Sequence, residues 1–338
     1  MENHDKILGG LIGLVLGDAL GMPSSMMTED EIQKHYGIID SFVQPMLNHQ
    51  IHDHLASGDG TDDTVLALQV VDEMIAQNGA ITVEGIAYRL VEWAKEKNIL
   101  GSPEIGPSTK KSISKLMNGE NPLTTGFEGV TNGGAMKASV IGLLHDHEDA
   151  LLKNVQLACT PSHNTQVALA GAMAVANVTR CARLGYSLDT IMNAAIKAAK
   201  YGEKQGKIIP SASVSARLEL VKQLVDTSRD TSNTASQLYR VIGASMHAAE
   251  SIPTAIGLFY LTQGDPNKAM HIAINKGDDA DTIAALIGVM AGAYRGKNAF
   301  LERWLTSKHC PDLTGLEARA NKLALIYQKS GLNSKHQV

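Results

Sequence analysis

The sequence is short of aromatic residues, of cysteines and of clustered charge, and each shortage narrows what the protein can be. Only 4% of its 338 residues are Phe, Trp or Tyr although 44% are hydrophobic, so its core rests on aliphatic and small side chains. Abundant Ala and Gly without β-branched runs favour closely packed helices over sheets. The three cysteines, Cys159, Cys181 and Cys310, stand far apart and show no metal-ligand spacing. They read as free thiols in a reducing compartment. A net charge of -5 is spread along the chain without a basic block. Because phosphate backbones need clustered cations, a nucleic-acid partner is not expected. The opening MENHDKILGG is acidic where a signal peptide is basic. The apolar run from Ile7 to Leu20 is interrupted by Gly and Asp and reads as too short for a bilayer. A cytoplasmic protein without a membrane partner is the expectation.

What the sequence does have is helical periodicity. Residues 62–77 place Val65, Leu66, Leu68, Val71, Met74 and Ile75 on one broad apolar face. Comparable patterns fall near 5–20, 82–97, 108–118, 149–158, 164–184, 188–202 and 211–226, then near 235–248, 252–262, 266–275, 280–294 and 313–329. Turn residues separate them, as at Asn78-Gly79, Asn118-Gly119 and Gly264-Asp265-Pro266. No series of period-2 strands and no low-complexity linker is found. The pattern predicts one all-α multi-helical domain over 1–338, with the last few residues a flexible tail.

Two short segments put carboxylates where helices begin. The first is Gly58-Asp59-Gly60-Thr61-Asp62-Asp63-Thr64; the second is Gly277-Asp278-Asp279-Ala280-Asp281-Thr282, more than two hundred residues later. Both run from Gly through adjacent acids and Thr into a helix of small apolar residues. Helix capping accounts for one acid at each start. Several crowded oxygens exceed that need, because adjacent carboxylates raise one another's pKa unless a cation neutralises them. Mg²⁺ and Mn²⁺ take such oxygen ligands. Capping and metal binding both remain open for either cluster alone; the matched pair favours the metal.

Together these segments resemble the ADP-ribosylglycohydrolase family, which includes the hydrolase that removes ADP-ribose from dinitrogenase reductase. The matching stretches are GGLIGLVLGDALGMP at 9–23, GDGTDDT at 58–64, NGGAMKASVIGLL at 132–144, PSHNTQVALAGA at 161–172 and GDDADTIAALIGVMAGAYRG at 277–296. They span nearly the whole chain in family order. The resemblance implies an all-α fold carrying two divalent cations, Mg²⁺ or Mn²⁺, at the bottom of a cleft. It assigns Thr61, Asp62 and Asp63 to the first ligand group and Asp279, Asp281 and Thr282 to the second. It places Asn132, Gly133, Gly134, Ala135 and Met136 in a loop along the substrate, and His163 beside the cleft. It gives no role to His52, Asp53 and His54, for which a solvated loop is expected.

Two positions depart from the family. Ser25 stands where relatives carry a glutamate, and a hydroxyl supplies neither negative charge nor a general base near neutral pH. Lys137 stands where many relatives carry arginine, which costs bidentate geometry toward a phosphate. Both are expected on substrate-facing positions. The implied chemistry is hydrolysis of an N-glycosidic bond to ribose, with Asp62 or Asp63 as the base for water. The substrate is then an ADP-ribosylated protein or a ribosylated small molecule. A non-catalytic relative, like the J1 crystallins of lens, is the third alternative. Oligomeric state is not legible.

Overall fold

The long glycine-rich segment near the N-terminus decides how the molecule is assembled. In the computed structural model, which describes residues 2–102 and 105–329, it forms the helix Glu2–Gly21 and lies along the helix Ala280–Arg295. Gly9, Gly13, Gly17 and Gly21 recur every fourth residue and so share one face. A Cβ on Gly13 would sit 2.0 Å from the Gly288 carbonyl oxygen, and one on Gly17 would sit 2.2 Å from that of Ala284. Gly9 and Gly21 meet Gly292 and Ala280 in the same way. Two backbones therefore touch along the whole pair, antiparallel, with the C-terminal end of the first helix against the N-terminal end of the second.

The remaining helices surround this pair. Gln166–Arg183 is buried on nearly every side and packs on Leu188–Gly202 and on Ala280–Arg295. One hydrophobic cluster runs from Ile7 to Leu323, as a single all-α domain requires. No β-strand forms among the described residues; two isolated bridges, Thr131 with His247 and Thr165 with Lys207, tie loops together.

Most predicted helices are present within a residue or three, as with Asp62–Ala76, Val83–Lys97 and Thr314–Lys329. Three expectations change. The helix expected over 235–248 ends early: Thr231–Gln237 passes into a π turn at Leu238–Ile242, and Gly243 stops it at φ 94°. The helix Glu29–Tyr36 was not expected, although Thr28 and Glu31 form a capping box at its start. Third, the N-terminal apolar segment is not too short for a bilayer: Glu2–Ser24 matches a spanning helix by length and composition, although 94% of its most apolar window is buried inside the fold. The predicted flexible tail lies outside the described residues.

Candidate active site

The helix pair brings the two acidic segments together. At its end, Asp281 in the first turn of Ala280–Arg295 meets Ser25, just beyond Glu2–Gly21; Ser25 Oγ donates to Asp281 Oδ1 at 2.8 Å. Met26 and Asp278, both with positive φ near 58°, at 59° and 57°, fasten these loops: Met26 N–H donates to the Asp278 carbonyl at 2.6 Å, and Asp278 N–H to that of Met27 at 2.8 Å. The Asn132 loop joins through its N–H to the Met246 carbonyl at 2.8 Å, and Asp279 N–H reaches the Ala244 carbonyl at 3.2 Å. The result is a cleft whose walls include Asp62, Asp63, Asp279, Asp281, Thr282 and Asn132.

Asp18, which sequence reasoning passed over, organises the first segment. Fully buried within the first helix, it accepts from Thr61 N–H and Oγ at 2.9 Å each, and from Thr64 N–H and Oγ at 3.1 and 2.5 Å. Burial raises its pKa to about 6 even though the Thr64 hydroxyl pulls the other way. The only sequence signal was an acid inside an otherwise apolar helix. Its consequence lies in Thr61: with its proton given to Asp18, the Thr61 oxygen accepts from Asp63 N–H at 3.2 Å. Thr61 is thus the cap of Asp62–Ala76.

Capping therefore does not account for the carboxylates. Thr61 caps the first helix, and Asp279 at the N-cap of the second makes no side-chain capping bond. Asp279 instead accepts from the Asn132 amide. Asp63 Oδ2 is buried without a hydrogen-bond partner. Burial first, then the charges of Asp281, Asp18, Asp62 and Asp279, hold the Asp63 carboxyl well above the usual range; burial and Asp281 do the same to Asp279. Asp281 goes the other way, because hydrogen bonds from His52 and Ser25 outweigh its burial and keep it low. Among the described residues no three His, Cys, Asp or Glu side chains form a ready-made ligand cluster. Asp63 and Asp279, with the Thr61 and Thr282 hydroxyls, nonetheless fit hard divalent cations: an orphaned carboxylate oxygen amid like charges is stabilised by a cation.

Several expected site residues lie elsewhere. His52 is not solvated: it is buried on the cleft wall with Nε2 3.2 Å from Asp281 Oδ2, and the His49 ring stacks on it at a centroid distance of 5.2 Å. Asp53 and His54 are exposed, as expected. Of the Gly-rich loop, Asn132, Gly133 and Met136 line the cleft, whereas Gly134, Ala135 and Lys137 do not. The short helix Gly133–Ala138 turns about 100° per residue, so Met136 and Lys137 diverge. Lys137 is buried, donating to Ser162 Oγ, and it is not substrate-facing. His163 is wholly buried behind the loop, where a Cβ on Gly134 would come within 2.9 Å of its Cβ. Only glycine lets the loop sit there.

Known proteins resemble the chain over most of its length. The ADP-ribosylglycohydrolase profile matches residues 1–333. The chain is 33% identical over 297 residues to the uncharacterized protein YegU of Escherichia coli, covering 87% of this chain and 89% of that one. It is 26% identical to the ADP-ribosyl-[dinitrogen reductase] glycohydrolase of Rhodospirillum rubrum, covering 90% of each. To human ADP-ribosylhydrolase ARH3 it is 26% identical, covering 80% of this chain and 79% of the relative. A solved structure of an ADP-ribosylglycohydrolase-related protein complex shares the fold, with a TM-score of 0.70 at 21% identity over 96% of this chain and 99% of the other. With its fold, its motifs and nearly its whole length in common with them, the chain belongs to the ADP-ribosylglycohydrolase family.

Proposed function

We propose that the chain hydrolyses the N-glycosidic bond of an ADP-ribosyl group, using two divalent cations, Mg²⁺ or Mn²⁺, held by Thr61, Asp62, Asp63, Asp279, Asp281 and Thr282. The observation that carries the reading is the convergence of four cleft carboxylates from opposite halves of the sequence, with Asp63 Oδ2 buried and unpartnered. Relatives named as an ADP-ribosyl-[dinitrogen reductase] glycohydrolase and an ADP-ribosylhydrolase support it. Bound cations would supply Lewis acidity and a lowered pKa for water.

The protein's own groups do the rest. Asp62 or Asp63 takes a proton from the attacking water as its oxygen bonds to the anomeric carbon. The carbon–nitrogen bond breaks, its electron pair stays on nitrogen, and the leaving nitrogen takes up the proton that the carboxylate removed from the water. The surrounding carboxylates stabilise positive charge developing on the ribose. Ser25 and His52 fix the orientation of Asp281, and Asn132 that of Asp279.

Ser25 favours one second reading, a small N-riboside as substrate, since the family glutamate is absent from the cleft wall. Thermal melts with Mg²⁺ or Mn²⁺, followed by ADP-ribose, ribose or nucleosides, test both, because a ligand bound only by the folded state raises the melting temperature. A metal-dependent rise, increased by ADP-ribose and abolished in Asp281→Ala, is expected. A rise with nucleosides and none with ADP-ribose selects the small riboside, and the absence of any metal effect defeats both.

A further inference from the structure

Behind the cleft wall lies a chain of buried polar groups that the reaction does not use. Lys137 Nζ donates to Ser162 Oγ; Ser162 Oγ is 2.8 Å from His163 Nδ1; His163 Nε2 is 3.0 Å from Thr131 Oγ. Lys137, Ser162 and His163 are 2%, 0% and 0% exposed. Among the described residues Lys137 forms no ion pair. Thr131 is the last member and the only one on the cleft wall.

The direction of this chain follows from its chemistry. An ammonium group has donors and no acceptor, so the bond to Ser162 runs from lysine to hydroxyl. Among the described residues Ser162 has no other partner than His163 for its own proton. Were His163 Nδ1 also a donor, the Ser162 proton would be left without an acceptor in a fully buried place, at a cost of about 1–3 kcal/mol. Nδ1 therefore accepts. Burial, and next to it the Lys137 charge, keep His163 neutral, and its one proton is on Nε2. That proton is donated to Thr131 Oγ, and the Thr131 hydroxyl hydrogen then has no acceptor among the described residues.

We infer that Lys137, Ser162 and His163 form a polarity relay that commits Thr131 to donate its hydroxyl proton into the cleft, making Thr131 a specificity-determining residue for a substrate oxygen that accepts hydrogen bonds. A phosphate oxygen and a sugar oxygen both meet that description. Lys137 is a positioning residue, acting on the cleft through three side chains without reaching it. The inference rests on the reading of this cleft as the riboside site.

Two measurements test it. In ¹⁵N spectra of the whole metal-free chain, with His163→Gln assigning the signals, His163 is expected to carry its proton on Nε2 with Nδ1 unprotonated; the opposite tautomer overturns the relay whatever the protein binds. In titrations with ADP-ribose and with ribose, in Mn²⁺, Thr131→Val is expected to weaken binding at least tenfold. Loss for ADP-ribose alone identifies a phosphate oxygen, and loss for both a sugar oxygen. Ser162→Ala, remote from the cleft, is expected to weaken the same ligand severalfold, with little further loss in the double variant. Unchanged affinity in Thr131→Val, with the melting temperature preserved, overturns the inference alone. Failure of the unaltered protein to bind any riboside overturns the cleft reading, and with it the assignment of Thr131.

Discussion

Ser25 and Asp281 are 256 residues apart in sequence and share a 2.8 Å hydrogen bond on the floor of the cleft. The hydroxyl stands beside a carboxylate that is held low, and His52 flanks that carboxylate on its other oxygen. Ser25 thus takes part in the acidic centre as a donor that orients the Asp281 carboxylate.

Removing that donor should loosen the centre without dismantling it. Ser25→Ala is expected to weaken Mn²⁺ binding by about tenfold, the usual effect of losing a group that orients a metal ligand. Calorimetric titration with Mn²⁺ checks this; unaltered affinity would mean that Thr282 N–H and His52 suffice to hold Asp281.

Asp18 accepts four hydrogen bonds from the first acidic segment. Replacing it by Asn puts an NH₂ group where four donors converge. Asp18→Asn is expected to cost about 3 kcal/mol of stability and to abolish metal-dependent stabilisation by freeing Thr61. Urea unfolding gives the first quantity. A variant as stable as the parent would show that this network contributes nothing net.

The glycine contact between the long helices is a steric requirement. A Cβ on Gly288 would lie 1.9 Å from the Gly13 carbonyl oxygen, which belongs to backbone and cannot rotate away. Gly288→Ala is expected to destabilise the fold by about 3 kcal/mol or more and to lower activity by separating Ser25 from Asp281. Gly37→Ala serves as a contrast: nothing lies within 4 Å of its Cβ, and its cost comes only from its φ of 70°. Equal losses at the two sites, read from melting temperatures, would contradict the close-contact argument.

Stability should fall on mild acidification through His145. Burial, and after it the Arg183 guanidinium, lower its pKa from 6.5 to about 4. The folded chain keeps it neutral while the unfolded chain protonates it, so its contribution is complete above pH 6.5 and is lost progressively as pH falls toward 4. The displacement corresponds to about 3 kcal/mol. Unfolding free energies at pH 7.5 and 5 should differ less in His145→Gln than in the parent; an identical difference would exclude His145 as the source.

Much of this protein was legible in one dimension. Periodicity located the helices Asp62–Ala76 and Ala280–Arg295, and the repeated order of Gly, acids and Thr marked both acidic segments before any contact was known. Those features are local: a helix face depends on side chains three and four apart, and a cap on its immediate neighbours. Lys137 and His52 were misplaced because which side of a short helix or loop meets a cavity depends on distant segments. Asp18 was passed over because its partners, Thr61 and Thr64, lie more than forty residues away.

The sequence by itself determined that the chain is all-helical, that it carries two acidic helix starts, and that small residues line the second of the helices bearing them. Tertiary structure decided that Gly13 and Gly288 touch, that this contact brings Ser25 to Asp281, and that Asp63 keeps a buried oxygen unpartnered. Backbone and capping preferences act over a few residues and can be read in order along the chain. Desolvation and repulsion among carboxylates depend on distances that only the closed fold creates.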